Sequence, residues 1–336
     1  MRGLLADRRA RIGFLLLGVS LAIAFIGSLF VHDPSDLVAK PLMPPSAAHW
    51  LGTTGQGQDV LAQTIAGARA SLTVGFLVGF LVVAIGAVIG TIAGYFGGWV
   101  DDVLSLIVNV FLVMPGLPLM VVIAAYLPPG PGTIGFVLVL TGWAWTARVI
   151  RSQALALRER DFVHAAVVSG ESHWRIILWE ILPNMSSLLA SSFIGAAIYA
   201  IGAEVGLEFL GLGDVSQVTW GTNLFWSAND SALVTGSWWT FVPTGLAIAA
   251  VGFALALLSN ALDELGNPRL RGEDDFIKRL RGYGLRAGGA TPVLRRTPGG
   301  AVESTVATST ARAEAPNGVA RVPGEPGKKG ETRVQP

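Results

Sequence analysis

Five stretches of the chain hold no Asp, Glu, Lys or Arg: Ile12–Val31, Leu72–Val100, Val103–Ala147, Ile181–Ala203 and Ser231–Leu262. A helix needs about 20 apolar residues to cross the hydrocarbon of a bilayer. The first, second and last runs therefore each predict one crossing. Val103–Ala147 is too long for one, and Pro128-Pro129-Gly130-Pro131-Gly132 interrupts it; residues without an amide donor, set among glycines, break a helix into a turn. That run predicts two crossings, and the fourth continues past Glu204 and Glu208 to about Gly211. The expectation is an all-α integral membrane protein with six transmembrane helices. The first run follows a basic leader (Arg2, Arg8, Arg9, Arg11) but exceeds the 7–15 residues usual for a signal-peptide core, so it is read as an uncleaved helix.

Charge orients these helices. With a cytoplasmic N-terminus, the outside segments 32–71, 128–132 and 213–238 carry only Lys40 and Arg69, whereas the inside carries four basic residues before the first span, five from Arg148 to Arg175 and five from Arg269 to Arg281. An excess of Lys and Arg marks the cytoplasmic side, so both termini are expected there. Trp50, Trp99, Trp220, Trp226, Trp238 and Trp239 fall at or beyond span ends, with Trp143 and Trp145 close to one, and are expected at the interface. The boundaries that follow are 1–11 for a cytoplasmic N-terminus, 12–31 for the first span, 32–71 for an extracytoplasmic loop and 72–265 for a five-helix core. A basic juxtamembrane segment, 266–285, and a tail, 286–336, complete the chain. Within the juxtamembrane segment, Asp274–Leu285 fits either a short basic amphipathic helix or a charged stop-transfer flank. The tail, rich in Gly, Pro, Thr, Ala and Arg without apolar periodicity, is expected to be disordered.

Composition removes whole classes of chemistry. Only 14% of residues are charged, 24 basic against 23 acidic, with 51% hydrophobic residues, 42 glycines and no cysteine. Mean hydropathy is +0.56. No disulfide framework or thiolate site is possible, and a net charge of +1 offers no basic field for nucleic acid. There is no G-x-x-x-x-G-K-[ST], H-E-x-x-H or nucleophile elbow, and His32, His49, His164 and His173 share no metal-ligand spacing. No cofactor or metal is expected in this chain, and no catalytic constellation supports an enzyme.

The informative polar segment runs from Arg151 to Asn184. It is too polar for the bilayer and too long for a simple turn. Small residues and Gly170 close one short helix. Trp174, Ile177, Leu178 and Ile181 then follow an i, i+3, i+4, i+7 pattern, which predicts the apolar stripe of a second helix stopped by Pro183. Two such helices under the membrane form either a rigid docking surface or an amphipathic loop lying on lipid. Elsewhere, Gly86-x-x-x-Gly90-x-x-x-Gly94 predicts a flat helix face for close packing, and Met114-Pro115-Gly116-Leu117-Pro118 predicts a kink.

Asp161-Phe162-Val163-His164-Ala165-Ala166-x-x-x-Gly170, then Arg175-Ile176-Ile177 and Ile181-Leu182-Pro183-Asn184, resembles the EAA loop of ABC importer permeases. His49-Trp50-Leu51-Gly52-Thr53, Gly57-x-Asp59-Val60-Leu61, Gly67-Ala68-Arg69-x-Ser71-Leu72, Gly94-Tyr95-Phe96-Gly97-Gly98-Trp99, Phe209-Leu210-Gly211-Leu212-Gly213 and Trp220-Gly221 resemble the C-type subunit of dipeptide, oligopeptide and nickel permeases. They run in family order over about residues 1–270. His164 stands where that family usually has Glu or Arg, Glu180 where it commonly has His, and Gln58 where it has Arg.

The resemblance implies the type I ABC importer permease fold, with a coupling loop over about 158–184 that meets ATPase subunits through Asp161, His164, Ala165, Ala166, Gly170 and Pro183. It implies a second homologous permease subunit, two ABC ATPase subunits that bind ATP and Mg, an extracytoplasmic substrate-binding protein, and a place in the bacterial inner membrane. The expected cargo is a di- or oligopeptide; nickel or another small solute is the alternative. A stand-alone secondary transporter would need an inverted repeat and charged midplane residues, which the sequence lacks, and a membrane-anchored signalling or assembly protein has only the tail in its favour. Glu204 and Glu208, at i, i+4 near the outer end of the fifth span, are costly in a membrane and thus functional candidates. They either line the translocation path, attracting an ammonium or a metal cation, or hydrogen-bond to neighbours or the partner subunit. Segment 213–238 either folds back toward the pore mouth or meets the binding protein.

Overall fold

The computed structural model describes residues 7–266 and, beyond them, only two two-residue strands. Those strands, Arg295–Arg296 and Val302–Glu303, pair antiparallel. The rest of the tail, and the segment Asp274–Leu285, lie outside the described residues.

Five described helices are long and apolar enough to cross a membrane: α1 (Arg8–Phe25, continued by a 3-10 turn to Leu29), α2 (Val60–Phe96), α5 (Pro131–Arg158), α9 (Ser186–Phe209) and α12 (Val242–Gly266). A bent pair of helices is the candidate for the sixth crossing. Helices α3 (Gly98–Val113) and α4 (Gly116–Tyr126) meet at 85° across Met114-Pro115. Pro115 has extended backbone and cannot supply the amide that would continue the helix, so the expected kink is a full change of direction.

α2 is the central element. Its 37 residues span about 55 Å at 1.5 Å each, far more than the ~30 Å hydrocarbon layer, so it starts well before the uncharged run. Asp59 caps it, accepting from the Ala62 N–H at 3.0 Å. Glycines let it approach two partners closely. A Cβ at Gly90 would lie 3.0 Å from the Arg151 amide nitrogen of α5, and one at Gly79 would lie 3.0 Å from the Ala197 amide nitrogen of α9. The glycine face expected from the sequence is therefore a helix-packing face. A bidentate pair from Arg151 to Asp101 ties α5 to α3, its Nη2–Oδ2 arm 2.6 Å long, and Arg148 donates to Asn109 at 2.6 Å.

Between α9 and α12 the chain folds back as α10 (Trp220–Asn229), followed by the short α11 (Ala232–Thr235). Trp220 is not an interfacial anchor, as its position at a span end suggested. It is 1% exposed, with its indole N–H donating to the Thr64 carbonyl at 3.1 Å and its amide donating to Ser71 Oγ at 3.2 Å. Trp143 is likewise buried, edge-on to Phe111. Hydrogen-bond partners on α2 draw the first indole inward; the second fills the space between α3 and α5.

A candidate coupling face and membrane groove

Residues 159–185 leave the end of α5 and form a compact ledge. Helix α6 (Asp161–Val168) buries only Val163. It ends in a Schellman turn: Gly170 N–H donates to Val167 O at 3.0 Å and Glu171 N–H to Ala166 O at 3.1 Å. Gly170 takes φ +76°, the left-handed conformation this turn requires. The chain then runs through α7 (His173–Arg175), a π-wound turn over Ile176–Ile181, and α8 (Leu182–Asn184).

That π turn corrects the sequence expectation. In a 3.6-residue helix Trp174, Ile177, Leu178 and Ile181 would share a face, but Trp174 and Leu178 are exposed, and the buried set is Ile176, Ile177 and Ile181. The i→i+5 winding brings residues five apart into register, which aligns Ile176 with Ile181. Pro183 does not stop the helix either. It occupies the first turn of α8, where its missing N–H costs nothing, and the break falls at Met185 (φ −104°, ψ 8°).

The buried isoleucines, Val163 and Met185 pack on Tyr95, Ile150, Ala154 and Leu157 from α2 and α5. The Tyr95 hydroxyl and His173 Nδ1 lie 2.9 Å apart. The ledge is thus attached to the same two helices that the glycine face locks together. Its opposite side is open. Asp161, His164, Ala165, Gly170 and Pro183 are exposed, and Ala166 is half-buried against the ledge core. Val167, Trp174, Leu178 and Trp179 are exposed, and Val168 is 88% exposed. Exposed apolar side chains on a polar connecting segment make it a candidate interaction site.

A groove of about 550 Å³ opens between α2, α5, α9 and α12. Thr141, Trp145, Ser191, Ser192, Tyr199 and Ser259 line it, with no charged residue among its lining. The Ser191 hydroxyl donates to Asp263 of α12 at 2.5 Å, and the Tyr199 hydroxyl faces Met120 of α4 at 3.4 Å. The polar members are hydroxyls, which offer donors and acceptors without fixed charge.

Glu204 and Glu208 are not in this groove. They are 1% and 3% exposed and turn into the packing of α9 against α2 and α10. The Thr219 hydroxyl donates to Glu208 Oε2. Thr219 also caps α10 reciprocally with Thr222, accepting from its N–H at 3.1 Å while Thr222 Oγ1 accepts the Thr219 N–H at 2.9 Å. A Cβ on Gly221 would lie 2.6 Å from Glu208 Oε2, so α10 sits this close only because that residue is glycine. Neither oxygen of Glu204 completes a hydrogen bond, although the Ser71 hydroxyl faces it. Sequence reasoning named Ser71 only within a motif and missed Thr219 and Thr222. Thr219-x-x-Thr222 ahead of Leu224-Phe225 is the available signal, a hydroxyl helix start. Among the described residues no cluster of three or more metal-ligating His, Asp or Glu side chains occurs.

Five long apolar helices and one bent pair, with a folded ledge on one connection, make this a multi-pass membrane protein. The chain belongs to the family of binding-protein-dependent transport system inner membrane components, matched over residues 86–272. It is similar to the dipeptide transport system permease protein DppC of Bacillus subtilis, with 33% identity over 277 residues covering 80% of this chain and 85% of that protein. It is also similar to the oligopeptide transport system permease protein OppC of Mycobacterium tuberculosis, with 35% identity over 216 residues covering 63% and 73%. The probable D,D-dipeptide transport system permease protein DdpC of Escherichia coli is 33% identical over 259 residues, covering 75% and 85%.

Proposed function

We propose that this chain is one of two homologous permease subunits of an ATP-driven peptide importer, with both termini cytoplasmic, as the Lys and Arg partition requires. Two ATPase subunits, which bind ATP and Mg, dock on the exposed side of the ledge, and an extracytoplasmic binding protein delivers the cargo. The observation that carries this reading is α6, an eight-residue helix tied to the protein by one buried residue and otherwise presenting Ala165, Val167 and Val168 outward. The names of the relatives support a di- or oligopeptide cargo. The groove supports it further, because neutral hydroxyls accept peptides of varied side-chain charge.

Movement of the docked ATPases pushes on α6, and the ledge core passes the push to α2 and α5. Because the glycine face locks α2 to α5 and the Asp101–Arg151 pair ties α3 to α5, the three helices move as one body and reshape the groove between α5 and α9. Such coupling requires two discrete arrangements of this body. Glu204 and Glu208 act at the gate by fixing α10 against α9 and α2. Their burial favours this role over direct contact with cargo.

Val168→Asp tests the docking. The side chain touches solvent, so the melting temperature should hold while co-purification of the ATPases and uptake of a labelled dipeptide fall together. Full ATPase retention would rule the docking face out. For the gate, Glu208→Gln keeps an acceptor for Thr219 and should retain most uptake, whereas Glu208→Ala should lose it.

A further inference from the structure

A second cavity, of about 200 Å³, lies between the 32–59 loop, the first turns of α2 and α10. That is the liquid volume of about seven waters at ~30 Å³ each. Ser35, Gln56, Gln58, Gln63, Gln217 and Asn223 line it beside Trp226, with no Asp, Glu, Lys, Arg or His in its lining. A concentration of carboxamides at one uncharged cavity is the notable feature.

Several of these groups are held in place. Gln63 Nε2 donates to the Pro34 carbonyl at 2.7 Å and to Gln58 Oε1 at 2.9 Å, and Asn223 Nδ2 donates to the Gln63 carbonyl at 3.0 Å. The Trp226 indole donates to the Val215 carbonyl at 2.9 Å. Among the described residues the Gln56 carboxamide makes no hydrogen bond, and that of Gln217 reaches toward Asp214. A primary amide carries donors and an acceptor, as a peptide bond does, and the nearest charges are the carboxylates of Asp214, engaged by Ser216 and Gln217, and of Asp230 on the adjoining wall. The array therefore favours bifunctional hydrogen-bonding groups, which the uncommitted Gln56 carboxamide and the donors and acceptors left open on the other amides can pair.

We propose that this cavity binds a short extended segment of peptide main chain, paired through Gln56, Gln217 and the fixed amides and covered on one side by Trp226. The inference deepens the permease reading and rests on it for the source of the segment, either the cargo peptide or an exposed loop of the delivering binding protein.

The test uses the full transporter in nanodiscs and a peptide without terminal charges, N-acetyl-trialanine methylamide. Saturation-transfer NMR should detect its binding. The double variant Gln56→Leu/Gln217→Leu should weaken binding by about five-fold for each hydrogen bond lost, and N-methylating the probe's amides should weaken it likewise in the wild type. Gln217 is exposed and Gln56 half-buried, so ATPase association and melting temperature serve as fold controls and should not move. Unchanged affinity for the binding protein in the double variant assigns the segment to cargo; a parallel fall assigns it to the binding protein's loop. No signal from the wild type, or equal signals from wild type and double variant, would overturn the proposal. Because binding is read without transport, failure of ATPase docking would strike the permease reading and leave this result standing.

Discussion

Gly90 and Gly170 are both glycines that nothing replaces freely, for different reasons. At Gly90 an added Cβ would lie 2.5 Å from the Ala147 carbonyl oxygen and 3.0 Å from the Arg151 amide nitrogen of α5, so Gly90→Ala must push the two helices apart. Such overpacking costs about 1–3 kcal/mol, and a fall in the melting temperature of the solubilised protein is the expected outcome. At Gly170 nothing lies within 4 Å, and the constraint is the left-handed backbone alone. Gly170→Ala should cost about 1–2 kcal/mol locally, fraying the end of α6 without changing the global melting temperature. Asp230 supplies a pH effect. Burial holds its carboxyl above the ordinary value, opposed by a hydrogen bond from the Gly55 N–H. A group that binds its proton more tightly when folded disfavours the folded state at neutral pH and releases that cost as pH falls through the folded-state value. In Asp230→Asn that dependence is absent, so wild type should gain melting temperature relative to the variant between about pH 7 and about pH 4. A constant difference across that range would refute the assignment.

Among the elements, the ledge separates what the sequence tells from what it hides. Its existence was legible, because Arg151–Asn184 is too polar to enter a bilayer and Gly170 marks a helix end. Its buried face was not, because a 3.6-residue period pairs Ile177 with Trp174, while the π turn pairs Ile176 with Ile181. Nothing in the local sequence announces five-residue winding; packing on Tyr95 and Leu157 selects it. Ile176→Ala should therefore cost about 2–5 kcal/mol, as other fully buried isoleucines do. Leu178→Ala, on the open side, should leave stability within about 0.5 kcal/mol and weaken ATPase association instead. Chemical denaturation and co-purification separate the two. The same contrast explains Trp220 and the glutamate pair. Position at a span end pointed Trp220 to the interface and left the glutamates either on the path or bonded to neighbours, but α10 folds back and buries all three, a long-range contact that no local pattern encodes.

At the scale of the whole molecule, charge and hydropathy went furthest. The uncharged runs located the crossings, the break at 128–132 falls at the turn from α4 into α5, the kink expected at 114–118 is the α3–α4 corner, and the Lys and Arg partition gives an orientation open to test. With no cysteine in the chain, single cysteines report accessibility cleanly. Trp50→Cys should react with an impermeant thiol reagent on intact cells and Val168→Cys only after permeabilisation; the reverse pattern would invert the topology. What the sequence did not locate is the groove, since Thr141, Ser191, Tyr199 and Ser259 come from three helices that only the fold assembles. The central claim is that α6 transmits ATPase motion to that groove. Cross-linking Val168→Cys to single cysteines on the ATPase surface, with and without ATP, tests it most directly. The account predicts efficient cross-links whose formation or reversal controls peptide uptake. Cross-links that form without affecting uptake, or none at all in an active transporter, would contradict it.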